Sequence, residues 1–188
     1  MTKNQTSDYI AWEDTYKVEQ ALFNAKQYRI YLYLCIGKCV ALRATEMLNL
    51  TWADFGMKEL RVEEQKTHKV RVIPLKDETK AAVKKVVNIL HPEPTEKIFK
   101  SHSKKGTMSS QYISKKLHYY AAPIVGWDKN ISTHTVRKTF GRRVYDQSTD
   151  KGHALVMLNE IFKHSSMRVT KIYLGITEDE INDIYKAL

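Results

Sequence analysis

The chain has 188 residues, 43% of them hydrophobic, and its 31 Lys and Arg against 21 Asp and Glu leave a formal charge of +10 with a pI near 9.5. That length and apolar content support one well-buried domain and exclude disorder as the main state. The positive balance favours a polyanionic partner, although charge alone leaves a generically basic surface equally open.

Met1 to Ser7 is polar and has no apolar core of the secretory kind, which points to an intracellular, cytoplasmic protein. Asp14 to Lys26 places Val18, Ala21, Leu22 and Ala25 at helical spacing, and a longer apolar helix follows from about Tyr28 to Ala41. The apolar run from Tyr28 to Leu42 is broken by Lys38 and is shorter than the ~20 residues a membrane span needs, so it reads as a buried helix. Cys35 and Cys39 lie four apart on it and have no second Cys/His pair at metal-ligand spacing, which makes them core thiols. A short helix runs through Ala44 to Leu48.

Next, Lys58 to Glu63 and Val70 to Pro74 alternate apolar with polar residues across the gap Glu64 to Lys69, the pattern of a β-hairpin with Lys66 at its turn. Lys76 to Leu90 regains helical periodicity, and His91-Pro-Glu-Pro-Thr95 stops it. A basic loop, Lys100 to Gly106, precedes a helix over Ser109 to Ala122, which Pro123 and Gly126 punctuate. Ser132 or Thr133 can cap a helix to about Tyr145, with His134 in its first turn, and another helix covers His153 to Phe162. Thr177 to Glu180 has a capping-box pattern, and Ile181, Ile184, Tyr185 and Leu188 form an apolar stripe, so 176–188 is expected to be an amphipathic C-terminal helix. The fold expected is mainly α with a small antiparallel β-sheet, in one domain.

Five segments stand out together: Leu42-Arg-Ala-Thr-Glu46, Lys66-Thr-His-Lys69, His134-Thr-Val-Arg137, Lys163-His-Ser-Ser166 and Tyr173. Each fragment alone is common. Their joint order, with the strand-flanked lysine and a nine-residue step from His164 to Tyr173, resembles the tyrosine recombinase (phage integrase) family over nearly the whole chain from about Tyr9. Three departures from the family pattern stand out: Val40 and Ala41 precede the first arginine where Thr-Gly is common, and Lys163 stands where glycine often precedes the histidine.

The resemblance implies a catalytic domain of the DNA breaking-rejoining fold over 1–188, without the usual N-terminal core-binding domain. It also implies a site made of Arg43, Lys66, His134, Arg137, His164 and Tyr173, with Glu46 in support. The chemistry fits these residue types. Charge builds on the non-bridging oxygens as phosphorus becomes five-coordinate, and two guanidinium forks, Arg43 and Arg137, can clamp them. His164 would add a donor to the same phosphate.

Tyrosine has a reference pKa near 10, so Tyr173 needs activation, by nearby arginines and by His134 as proton acceptor or phosphate orienter. Lys66 is the candidate general acid for the leaving 5′ oxygen, and Glu46 orients the basic groups. The product would be a 3′-phosphotyrosine, formed without metal, ATP or other cofactor. The implied partner is double-stranded DNA, bound by a homotetramer on paired sites, with no membrane and no nucleotide cofactor.

Lys104 and Lys105 in the basic loop, and Arg142 and Arg143 beyond Arg137, are candidate DNA-backbone contacts or simply solvated faces. His68, His91, His102, His118 and His153 match no family position. Trp12, Trp52 and Trp127 are expected to anchor the core. Two other functions stay open at this point, a type IB-like topoisomerase and a catalytically silent DNA-binding fragment of a recombinase.

Overall fold

The computed structural model describes residues 6–63, 69–101 and 106–176. Lys66, Lys104 and Lys105, and all of the expected 176–188 helix except Ile176, lie outside the described residues.

Helix α2 (Tyr28–Val40) organises the rest. Nine of its 13 residues are buried, from Ile30 round to Val40, and a helix apolar on every side has to sit inside others. It packs against α1 (Trp12–Asn24), α4 (Asp77–Leu90), α5 (Ser110–Val125) and α6 (Thr135–Gln147). Lys38, which interrupts the apolar run, is only 1% exposed. Its ammonium lies 2.7 Å from Glu19 on α1, 3.6 Å from Glu78 on α4, and over the rings of Trp12 and Tyr16. A buried charge of this kind is tolerated because carboxylates and ring faces replace its water.

The short helix α3 (Ala44–Met47) leads to the hairpin of β1 (Glu59–Glu63) and β2 (Val70–Pro74), paired antiparallel from Glu59↔Pro74 to Glu63↔Val70. Leu60 and Val62 face the core, as the alternation requires. A second, smaller cluster forms where α7 (Lys151–Phe162) and α8 (Met167–Leu174) pack on the far half of α6. Val136 of α6 belongs to the main core while Phe140 and Val144 pack on the second cluster, so α6 joins the two. Among the described residues no helix is long and apolar enough to cross a membrane.

Element order and type match the sequence reading, with informative differences. Helix α5 runs on through Pro123 to Val125, because a proline in the last turn forfeits one bond near an end where carbonyls are unpaired anyway. His134 takes the cap position ahead of α6, not its first turn. The Ser132 hydroxyl accepts the His134 N–H, and Thr135 Oγ1 accepts the Ser132 N–H, which closes the turn one residue late. Asp150 caps α7 two residues earlier than the periodicity suggested.

Helix α8 was not expected at all. Its Val169, Thr170, Ile172 and Tyr173 are poor helix formers, and the Ser166 cap and Gly175 stop define it instead. Trp52 is buried, but Trp127 is 66% exposed and is no core anchor, since it follows the Gly126 turn that ends α5. Cys35 is buried and Cys39 half-buried, both as free thiols on α2.

Gly37 brings α2 close against Val136 of α6. A methyl at Gly37 would sit 2.4 Å from Val136 Cγ2. Gly37→Ala should therefore destabilise the protein by about 1–3 kcal/mol through overpacking, visible as a lowered Tm; an unchanged Tm would mean the crossing is looser than described.

Candidate active site

The last carbonyls of an α-helix lack intrahelical partners and carry partial negative charge. In this fold the ends of α2 and α7 come together, and arginines join them. Arg71 on β2 donates to the Val40 carbonyl at 3.0 Å and the Ile161 carbonyl at 3.1 Å. Arg137 on α6 does the same one residue on, donating to the carbonyls of Ala41 and, at 2.9 Å, Phe162. Arg43 adds a 3.2 Å bond to that Phe162 carbonyl. One carbonyl oxygen thus fixes both arginines that the sequence reading singled out.

Each guanidinium is held from a second direction. Glu46 is buried; its Oε2 accepts the Arg43 backbone N–H at 2.7 Å and its Oε1 the Arg43 Nη1 at 3.2 Å, a capping-box arrangement at the start of α3. Arg137 also lies over the Phe162 ring, 4.5 Å from its centroid. Arg137 is 4% exposed whereas the Arg43 side chain is 45% exposed, so one forms the floor and the other the rim. These bonds engage two of the five N–H donors of each guanidinium. Burial pushes Arg137 down to about 10, with Tyr173 countering and Arg43 reinforcing the shift, and it stays a cation at neutral pH.

His164 follows Lys163, which takes the left-handed conformation (φ 51°) that ends α7. Ala41 ends α2 in the same way at φ 54°. The two positions where glycine is common in the family pattern thus keep a glycine-like backbone with other residues. Strain of about 1–2 kcal/mol at each is the cost. His164 Nδ1 lies 3.0 Å from Thr170 Oγ1, and that hydroxyl donates to Asn159 Oδ1 at 2.8 Å. Burial first, then Arg137 and Arg43, lower its pKa below 6.5.

Tyr173 is half-buried near the end of α8, edge-on to the rings of Phe162 (5.2 Å) and His164 (5.1 Å). Its phenol donates to the His134 backbone carbonyl across 3.4 Å. Arg137 pulls the phenol down, as the sequence reading expects of nearby arginines, but burial outweighs it and the net shift is up to about 12.

Arg43, Glu46, Arg137, His164 and Tyr173 therefore share one cluster, with exposed His134 at its edge through its main chain. Arg142 and Arg143 are not part of it. They leave α6 on other faces, Arg142 paired with Asp146 at 3.0 Å and Arg143 with Glu13 at 3.2 Å, stacked over Tyr9, Tyr145 and Trp12. Arg142 thus holds Tyr9 ahead of α1, and Arg143 holds the first turn of α1. The sequence reading missed Arg71, whose signal was an arginine alternating with valines in β2, and the Asn159–Thr170 pair, which gave no signal until α8 was seen.

The phage integrase family model matches residues 9–180. A Bacillus subtilis protein described as a probable integrase/recombinase, YoeC, is 33% identical over 93% of this chain and 92% of its own length. A tyrosine recombinase of Pseudothermotoga lettingae is 25% identical over 88% of this chain but only 56% of its own length. Among solved structures, XerA recombinase superposes over the whole chain and 66% of its own, with a TM-score of 0.70 at 16% identity. XerH recombinase bound to a palindromic difH substrate, in a post-cleavage complex, superposes over 97% of this chain and 53% of its own with a TM-score of 0.69 at 20% identity. The chain thus spans about half the length of several of these relatives.

Two outcomes follow from the geometry. Lys163→Gly relieves the left-handed strain and should raise stability by about 1 kcal/mol in denaturant melts; a loss would show that the lysine side chain contributes more than its backbone costs. His164 should titrate below pH 6.5 by NMR. Because the unfolded chain takes up that proton first, stability should fall as pH drops from about 6.5 through the folded pKa. A midpoint above 6.5 would reverse the sign.

Proposed function

The chain belongs to the phage integrase family, the tyrosine recombinases, and from that premise we propose that it is a site-specific DNA recombinase that cleaves and rejoins DNA through a 3′-phosphotyrosine at Tyr173. The observation that carries this reading is the convergence of Arg43 and Arg137 on the Phe162 carbonyl, with His164 and Tyr173 packed on the ring of that same residue. Residues from four elements meet there to make a cationic cluster with Tyr173 beside it.

The scissile phosphate takes its place against the two guanidinium groups. Because both are pinned by fixed carbonyl and carboxylate acceptors, their remaining N–H donors need little reorganisation as charge grows on the non-bridging oxygens. Tyr173 loses its phenolic proton, its oxygen bonds to phosphorus, and the 5′ oxygen leaves with a proton; one phosphoester replaces another and no energy source is needed. Ionising a phenol shifted up to about 12 at pH 7 leaves roughly one molecule in 10⁵ as phenolate, so the arginines alone do not activate it and a base must take the proton.

His134 is the candidate for that role, since its own carbonyl already holds the phenol and its ring is at the exposed edge. Lys66, in the segment that connects β1 to β2, is the candidate acid for the leaving oxygen. Arg71 ties the hairpin to the two helix ends. The nucleophile and its arginines lie in one chain, which supports cleavage in cis. Double-stranded DNA is the partner of this reading, and strand exchange between two duplexes calls for a homotetramer on paired sites.

Nicked suicide duplexes carrying candidate sites should trap a covalent complex on a denaturing gel. Tyr173→Phe should abolish that band with binding retained, and a persisting adduct would place the nucleophile elsewhere. Arg43→Lys keeps the charge but loses the fork, and cleavage should fall by about 10²–10³; near-normal cleavage would count against the clamp.

A further inference from the structure

The Thr170 hydroxyl is fully buried between two groups, and a hydroxyl has one proton to give. Asn159 Oδ1, 2.8 Å away, can only accept, so the proton goes there. Toward His164 the hydroxyl then offers only a lone pair, and Nδ1 at 3.0 Å has to carry the ring's hydrogen. The backbone reinforces the arrangement, because the His164 N–H donates to the Asn159 carbonyl at 3.3 Å where α7 ends. The ring is also wedged between Phe162 and Tyr173, with centroids 5.2 and 5.1 Å away.

We infer that Asn159 and Thr170 are positioning residues that hold the neutral His164 ring with its proton on Nδ1 and leave Nε2 as its acceptor atom. This rests on the recombinase reading, in which His164 meets the phosphate. A neutral ring in this tautomer has no donor at Nε2, so it can hydrogen-bond a phosphate oxygen only after Nε2 gains a proton. That gain makes an imidazolium with N–H at both nitrogens, and the Nδ1–H bond to Thr170 is kept. The groups that face the ring are Arg43 ahead of α3, Arg137 on α6 and Tyr173 on α8; burial and then the two cations lower the free ring's pKa, and a phosphate anion among them works against that shift. Engagement of the phosphate is thereby coupled to uptake of one proton at His164.

Imidazole ¹⁵N spectra of the free, full chain at pH 7.5 test the tautomer without DNA. The expected result is Nδ1–H in the parent protein, loss of that preference in Thr170→Val, and its return in Thr170→Ser. Asn159→Asp keeps an acceptor in place, so it should keep Nδ1–H while raising the His164 pKa. On nicked suicide duplexes, Thr170→Val should cleave on the order of tenfold more slowly and Thr170→Ser within about twofold of the parent.

Nε2–H in the parent protein would mean that the hydrogen-bond chain runs the other way, and Nδ1–H persisting in Thr170→Val would remove Thr170's role; either overturns the inference. Should Thr170→Val fail to fold, Asn159→Asp decides alone, and a switch to Nε2–H there overturns it. Failure of the parent protein to form any adduct would sink the recombinase reading instead, and the spectra would still report the tautomer.

Discussion

Two helices end against each other with unpaired carbonyls, and the rest of the site depends on how that contact is made tolerable. The ends of α2 and α7 both carry partial negative charge, and neither can offer the other a donor. Arg71 and Arg137 solve this by each spanning the gap, one from Val40 to Ile161 and the other from Ala41 to Phe162. A lysine could not take this place, because a point charge does not present two parallel N–H groups at fixed spacing. The same fork geometry suits a phosphate, so the guanidinium groups that close the fold are already oriented for an anion. On the proposed reading, structure and chemistry would use different N–H groups of the same side chains.

The left-handed residues Ala41 and Lys163 belong to this arrangement. Each ends a helix and turns the chain so that the next residues, Leu42-Arg43 in one case and His164 in the other, enter the junction. Glycine would take that conformation without strain. That neither position has glycine shows that the turn is imposed from outside the local sequence, by the arginine bridges and by the packing of fully buried Ala41 against the second cluster. Such strain persists only where the surroundings over-determine it.

Much of the fold was legible because its signals are periodic. The apolar run of α2, the alternation around Leu60 and Val62 and the stripe of α4 each follow from which side must be buried, and each matched. The site was legible for another reason. Arg43, His134, Arg137, His164 and Tyr173 stand in a recognisable order, although nothing in their spacing says that the Phe162 carbonyl joins Arg43 to Arg137. What stayed hidden depends on tertiary partners. Helix α8 forms from β-branched residues that only a cap and a packed face could hold, and Arg71 looks in the sequence like any solvent-facing strand residue. The signs of the pKa shifts were hidden too: arginine proximity argued for a lowered Tyr173, and burial reversed it.

The charges at the junction determine how an anion would act there. Among the described residues at the junction, Arg43 pairs with Glu46 while Arg137 is held by the Ala41 and Phe162 carbonyls, so positive charge is in excess beside His164 and partly buried. Burial first and then that excess lower both His164 and Arg137. Burial also keeps the Tyr173 proton in place. A phosphodiester anion would act on the first two in one step: it would offset the excess charge and favour a proton on His164. It would not by its charge ease the ionisation of Tyr173, since an added anion raises a phenol's pKa. On the proposed reading Tyr173 would therefore stay protonated with a phosphate bound, held so by burial and by the added anion, and bond making would proceed in concert with proton removal.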